Sequence, residues 1–135
     1  MRSLLFCAAL SGCSSVSYDT MVGIWAAEDD EGNQRAMEFV EGGAYELYKY
    51  PMGTEPILVQ SGTAELLDDQ VVTGYDDPQD DVLVFTVEWA EPAAGIAPGT
   101  AFGNRVLHLS KSELEIEIDV ATETSRVYEA VEEIP

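Results

Sequence analysis

The segment Glu113-Leu114-Glu115-Ile116-Glu117-Ile118-Asp119-Val120 decides the fold. Every even position carries a branched aliphatic side chain and every odd position a carboxylate. Successive side chains of a β-strand point to opposite faces, so this segment has one dry face and one wet face throughout. A helix would scatter the same residues around its circumference. Such alternation belongs to an antiparallel sheet packed on one side and solvated on the other. Upstream, Lys111-Ser112 turns the segment back into a strand over Phe102 to Ser110, and downstream Glu123 to Val131 gives the last one.

The same rhythm continues toward the N-terminus. Val82 to Ala90 places Leu83, Phe85, Val87 and Trp89 on one side. Further strands are expected over Val22 to Ala27, Arg35 to Glu41, Ala44 to Tyr50, Ile57 to Leu66 and Gln70 to Tyr75. Gly42-Gly43 suits a two-residue turn, because glycine tolerates the positive φ of primed hairpin turns. The longest loop, Glu91 to Ala101, is rich in Pro, Gly and Ala. No stretch from residue 13 onward reads as a helix of three turns. The fold expected is therefore all-β, an antiparallel up-and-down meander of about 8–9 strands, closing into a barrel or two packed sheets. Closure removes the edges on which such a sheet would aggregate.

The 135 residues include 26 Asp and Glu against 6 Lys and Arg, a formal net charge of −20, while 46% are hydrophobic. The apolar content argues against general disorder. The charge argues against nucleic acid and against electrostatic docking on anionic lipid. No later run approaches the roughly 20 apolar residues of a spanning helix.

The first residues form a separate unit. Met1-Arg2-Ser3 carries one positive charge, Leu4 to Leu10 is apolar, and small residues follow, as in a secretory signal peptide. Leu10-Ser11-Gly12-Cys13 resembles the lipobox of bacterial lipoproteins. That resemblance implies removal of residues 1–12, acyl chains such as palmitate on Cys13, and a membrane contact through that lipid. It assigns 13–20 to the lipidated Cys and a flexible tether, and 21–135 to the barrel domain. Ser14, in place of Asp, implies the outer membrane where the cell is Gram-negative. With Cys7 in the leader and Cys13 acylated, no disulfide, thiolate metal site or catalytic cysteine is left to the folded domain.

Gly23-Ile24-Trp25, then Phe39 and Gly43-Ala44-Tyr45, then Ser61-Gly62-Thr63, resembles small bacterial lipocalin-like lipoproteins of the calycin type. The resemblance implies that Trp25 packs across the closed end of the barrel and that Arg126, in the last strand, stacks over it. Burial of Trp25 is worth about 3 kcal/mol or more against Ala.

Three kinds of site are open to this sequence. Counting nine strands puts the first and fifth connections on one rim, which would bring Asp29, Asp30 and Glu31 together with Asp76, Asp77, Asp80 and Asp81. Calcium takes 6–8 oxygen ligands and these could supply several; solvated acidic turns are the rival reading. Barrels of this class hold side chains or one small ligand. Leu47, Leu83, Phe85, Val87, Leu107, Leu109, Leu114 and Ile116 are expected to line the interior, with Ile96 and Phe102 at the long loop; the rival is a filled core. His108, the only histidine, faces outward with no nucleophile beside it, and no phosphate loop, Gly-x-Ser-x-Gly or His-Glu-x-x-His is present. The expectation is a non-catalytic envelope module without a cofactor that binds a small hydrophobic ligand. The alternative is a structural or interaction module with a filled core, whose acidic face meets an envelope protein partner. Replacing Cys13→Ser should leave the chain soluble or unprocessed on membrane fractionation; a mature, membrane-bound variant would overturn the anchor.

Overall fold

The computed structural model describes residues 17–29, 31–50 and 55–134. The expected leader 1–12, the lipidation site Cys13 and Asp30 lie outside the described residues. Eight strands run in order: β1 Gly23–Glu28, β2 Gln34–Phe39, β3 Ala44–Tyr50, β4 Ile57–Leu67, β5 Val82–Ala90, β6 Ala101–Leu109, β7 Glu113–Asp119 and β8 Thr124–Val131. Each pairs antiparallel with the next, and β8 returns to β1 through Trp25↔Ala130, so the meander closes as a barrel. The expected all-β meander is the observed fold.

The ninth expected strand does not form. Gln70 to Tyr75 makes only an isolated bridge, Gln70↔Gln79, within the β4–β5 connection. Two reciprocal caps hold that connection as a loop: the amide of Asp69 donates to Asp80 Oδ1 and the amide of Asp81 to Asp68 Oδ1, both at 3.0 Å. Asp69 and Asp81 take positive φ, which breaks an extended run. The loop then straps the outside of the barrel. Val72 is buried near the notch left by Gly103, where an added Cβ would stand 3.1 Å from Val82.

Inside, alternation sorts the side chains as the β7 segment predicts as far as Ile116; Ile118, expected inward, is the extra residue between Glu117↔Ser125 and Asp119↔Thr124 and is 38% exposed. Trp25 faces Met37, Met37 faces Leu47, and Phe39 faces Tyr45 across neighbouring strands. With Leu83, Phe85, Val106, Leu114, Ile116 and Tyr128 they form one buried cluster. Phe85 stacks edge-on to Tyr45 with ring centroids 4.8 Å apart. One end is plugged by the turn of helix α1, Tyr18–Met21. Met21 is fully buried, Trp25 Nε1 donates to its carbonyl at 2.8 Å, and Tyr18 donates to the Val40 carbonyl of the β2–β3 turn. Among the described residues no helix is long and apolar enough to cross a membrane.

Bulges interrupt the period of two. The ladder pairs Gly62 with Val87 but Ser61 with Trp89, so Glu88 is an extra residue and Trp89, expected inward, is 44% exposed. Leu107 is the extra residue between Val106↔Ile116 and His108↔Glu115. Val106 and Leu109 therefore reach the core and Leu107, expected inward, is 41% exposed. A bulge leaves one residue unpaired and reverses the parity beyond it.

Gly62 makes the β5 bulge feasible. A Cβ there would lie 2.0 Å from the Thr86 carbonyl oxygen and 2.9 Å from the Glu88 amide nitrogen, both backbone atoms. Gly62→Ala should cost about 3 kcal/mol or more in urea unfolding, from overpacking against groups that cannot rotate away. A loss below about 1 kcal/mol would show that the strands can part at little cost.

Candidate functional site

Eight strands, rather than nine, change which loops share a rim. The β1–β2, β3–β4, β5–β6 and β7–β8 connections surround the open mouth; the β4–β5 connection belongs to the end plugged by α1. Asp29 and Glu31 therefore sit on the mouth rim, and Asp76, Asp77, Asp80 and Asp81 belong to a connection from the other. The expected meeting of the two acidic clusters is corrected by this count. Their oxygens also have local work. Asp29 Oδ1 accepts from the amides of Glu31 and Asn33 at 3.0 Å each, and its Oδ2 lies 3.4 Å from Arg35 Nε. Among the described residues no group of three or more His, Cys, Asp or Glu is placed to hold a metal.

The mouth contains a cavity of about 210 Å³. Its apolar wall is Met37, Leu47, Val59 and Tyr128, and Ala94 and Ile96 reach over it from the β5–β6 loop. That loop is shaped by a 3₁₀ turn at Pro92–Ala94 ending on Gly95, whose φ of 69° only glycine adopts readily. Arg35, Lys49, Gln60 and Glu91 supply the polar part of the lining. Gln60 Nε2 donates to the buried Tyr45 hydroxyl at 2.7 Å, which marks the floor between mouth and core. Burial raises the Tyr45 hydroxyl pKa, so the group stays a neutral phenol there.

The ten residues expected to contact a ligand separate into three groups. Leu47 and Ile96 line the mouth cavity. Leu83, Phe85, Leu114 and Ile116 are buried in the core cluster with Leu109 packed against it, and Val87 is buried where its backbone pairs with Gly99 and Thr100 of the long loop. Phe102, 40% exposed, and Leu107 are outside that core. Met37, Tyr128, Lys49 and Arg35 were missed as lining residues. Cross-strand partners share a face, so Leu47 opposite Met37 was the signal that could have found them.

A second opening lies between β6 and β7. β6 and β7 pair only through Val106, His108 and Leu109, near their turn, and no ladder joins them toward the mouth. Asn104 Nδ2 spans the divergence to the Glu117 carbonyl at 3.0 Å. A cleft of about 490 Å³ lies there between the strap residues Val71–Gly74 and the residues Phe102, Ile118 and Val120. Val71 projects from it, 85% exposed. Tyr75 ties the strap down: its hydroxyl accepts from Arg105 Nη1 at 2.6 Å and bonds to both Glu117 carboxylate oxygens. Carboxylates on the wet face also act elsewhere. Tyr48 donates to Glu46 at 2.7 Å, and its pKa is pushed up to about 12, first by burial and then by Glu46.

Trp25 and Arg126 are not brought into the expected stack. Ala130 stands opposite Trp25, whereas Arg126 stands four residues earlier on β8, opposite Ile116. At about 3.3 Å per residue the backbones are offset by about 13 Å toward the mouth. Met21, not Arg126, closes over the indole. His108 lies 3.8 Å from Glu113 across the hairpin, and Ser110 Oγ accepts from the Ser112 and Glu113 amides as a turn cap. No family model matches this chain, and no curated protein matches it.

Asp29 supplies a pH test of the rim. Burial opposes its ionisation, but hydrogen bonds from the Asn33 and Glu31 amides and the Arg35 charge outweigh it and hold the carboxyl below its usual value. A depressed folded-state pKa stabilises the fold above the unfolded value and loses that contribution as pH falls through the folded value. The stability difference between wild type and Asp29→Asn should be positive at neutral pH and shrink through the carboxylate range on acidification. A difference independent of pH would mean that the charge on Asp29 contributes nothing.

Proposed function

We propose that this chain is a lipid-anchored envelope protein with a lipocalin-like barrel, acting without catalysis as a binding module for a small apolar ligand. The anchor is Cys13, and the outer membrane is its place in a Gram-negative cell. The mouth cavity carries the reading. There the inward apolar side chains Met37, Leu47 and Tyr128 border open space, under a loop that brings Ile96 over them. Its volume of about 210 Å³ lies below the roughly 300–1,000 Å³ of drug-sized sites, so the ligand is small. The aromatic cluster beneath limits it to the mouth.

That cluster also favours a second reading. With the lower barrel filled, the wide acidic exterior and the exposed Val71 and Phe102 beside the β6–β7 cleft fit a surface recognised by an envelope protein. A neutral probe separates the two. Titration with 1-heptanol should give saturable amide NMR shifts at Leu47, Ile96 and Tyr128, and Leu47→Trp, which fills the cavity, should abolish them while the barrel spectrum persists. Shifts that are absent, or spread without saturation, would remove the ligand reading and leave the surface reading.

A further inference from the structure

β6 keeps an open edge on the side that faces β7. The Val106 amide donates to the Asp81 carbonyl, and the Thr100 carbonyl accepts from the Val87 amide, both at 2.8 Å. Even-numbered residues at the two ends of this segment thus turn their backbone groups toward β5. Antiparallel pairing alternates that direction, so Ala101 and Gly103 point their N–H and C=O away from β5. Among the described residues no β7 residue pairs with them, because the β6–β7 ladder reaches only from Leu109↔Leu114 to Val106↔Ile116. An inserted residue on each strand, Leu107 and Ile118, bends the two apart. At the apex of the wedge Asn104 Nδ2 donates to the Glu117 carbonyl at 3.0 Å, where a ladder amide would otherwise bond. Exposed edges are commonly blunted by Pro, Lys or an inward charge. Ala101-Phe102-Gly103-Asn104 carries none of these, and Phe102 is 40% exposed.

The geometry points to an extended, basic peptide segment of another protein as the occupant of this wedge, added as a strand on the β6 edge. This rests on the surface reading above, not on the mouth cavity, and names the partner. Main-chain bonds to Ala101 and Gly103 give such a segment its affinity, and its alternate side chains give specificity. Phe102 and Ile118 border the cleft and offer apolar contact to one set of those side chains. The strap walls the cleft, with Val72 3.9 Å from where a Cβ on Gly103 would stand. Charge selects the other set. The cleft of about 490 Å³ is lined by Glu117 and Asp119 and by no Lys or Arg, in a chain of net charge −20. Lys or Arg on the incoming strand is therefore attracted, while an acidic segment, the edge of a second copy included, is repelled. The open edge from Ala101 to Gly103 spans about 10 Å at about 3.4 Å per residue, so a short segment covers it.

The test titrates the full-length chain with the capped peptide Lys-Val-Lys-Val-Lys and follows its amide NMR spectrum. Saturable shifts are expected at Ala101, Gly103 and Ile118, with slowed hydrogen exchange of the Ala101 and Gly103 amides. The same peptide N-methylated at every residue cannot donate to a ladder and should bind at least about tenfold more weakly. Glu-Val-Glu-Val-Glu should not bind measurably. Ala101→Pro removes an edge N–H that β5 does not use, at the first residue of a strand, where Pro is tolerated. It should keep the barrel spectrum and weaken the Lys peptide severalfold. Equal binding of the N-methylated peptide, or affinity unchanged by Ala101→Pro, would overturn strand addition. Equal binding of the Glu peptide would overturn the basic partner. Saturable shifts confined to other parts of the acidic exterior would overturn this site and keep the surface reading; no binding at all would remove both. A dimer in sedimentation of the chain alone, dissociated by Ala101→Pro, would give the edge to a second copy and overturn the assignment.

Discussion

A closed barrel of eight strands has an interior only as wide as the side chains that fill it, and this limit governs the rest of the structure. Trp25, Phe39, Tyr45 and Phe85 occupy the lower lumen completely, so the chain end can be sealed by a single helical turn. The indole of Trp25 needs a partner for its buried N–H, and the Met21 carbonyl supplies it. That bond, with the buried Met21 side chain and the Tyr18 contact to Val40, holds α1 under the barrel and makes the two ends unlike. The mouth cavity opens where the inward side chains stop being aromatic, at the row of Met37 and Leu47 with Arg35 and Lys49 beyond them.

The same limit explains how much was legible in the sequence. Alternation in Glu113–Asp119 gave the correct faces for Leu114 and Ile116, and the two-glycine turn, the meander and the closure followed from patterns with local causes. Bulges are not local in this sense. A period of two points Leu107 and Trp89 inward, but each lies at or beyond an inserted residue that only the neighbouring strand reveals. Gly62 did carry a signal, but of a different kind: it marks a close backbone approach and not a weak strand. The strap misled for a third reason. Val71, Val72 and Tyr75 have strand-like composition, yet Asp68, Asp69, Asp80 and Asp81 close the loop by capping each other's termini, a chemistry that composition does not show.

Miscounting one strand had a larger effect on the site than on the fold. In a meander each strand sends its next connection to the opposite rim, so a single spurious strand exchanges the partners of every later loop. A nine-strand count joins the acidic connections on one rim; with eight strands they start from opposite rims, while the Glu91 loop joins the Asp29 turn at the mouth. Arg126 moves by the same logic. The residue implied as a lid on Trp25 is instead carried to the mouth, because β8 runs away from the mouth toward the plugged end and Arg126 comes early in it. The charges thus divide by face: carboxylates hold turns and tie the strap on the outside, and half of the few cations face inward.

This division bears on how an anchored protein would present its mouth. Residue 17 enters α1 at the plugged end, beside the β2–β3 turn that Tyr18 reaches. Only residues 14–16 separate it from Cys13, a span of at most about 14 Å when fully extended. Under the proposed anchor, the plugged end therefore faces the bilayer and the mouth opens away from it, toward the aqueous side. A cavity facing the bilayer could draw apolar molecules from the lipid directly, and cations there would meet anionic headgroups. Under the same proposal, a mouth pointing into water would meet only what is dissolved in it, which suits the small volume of about 210 Å³.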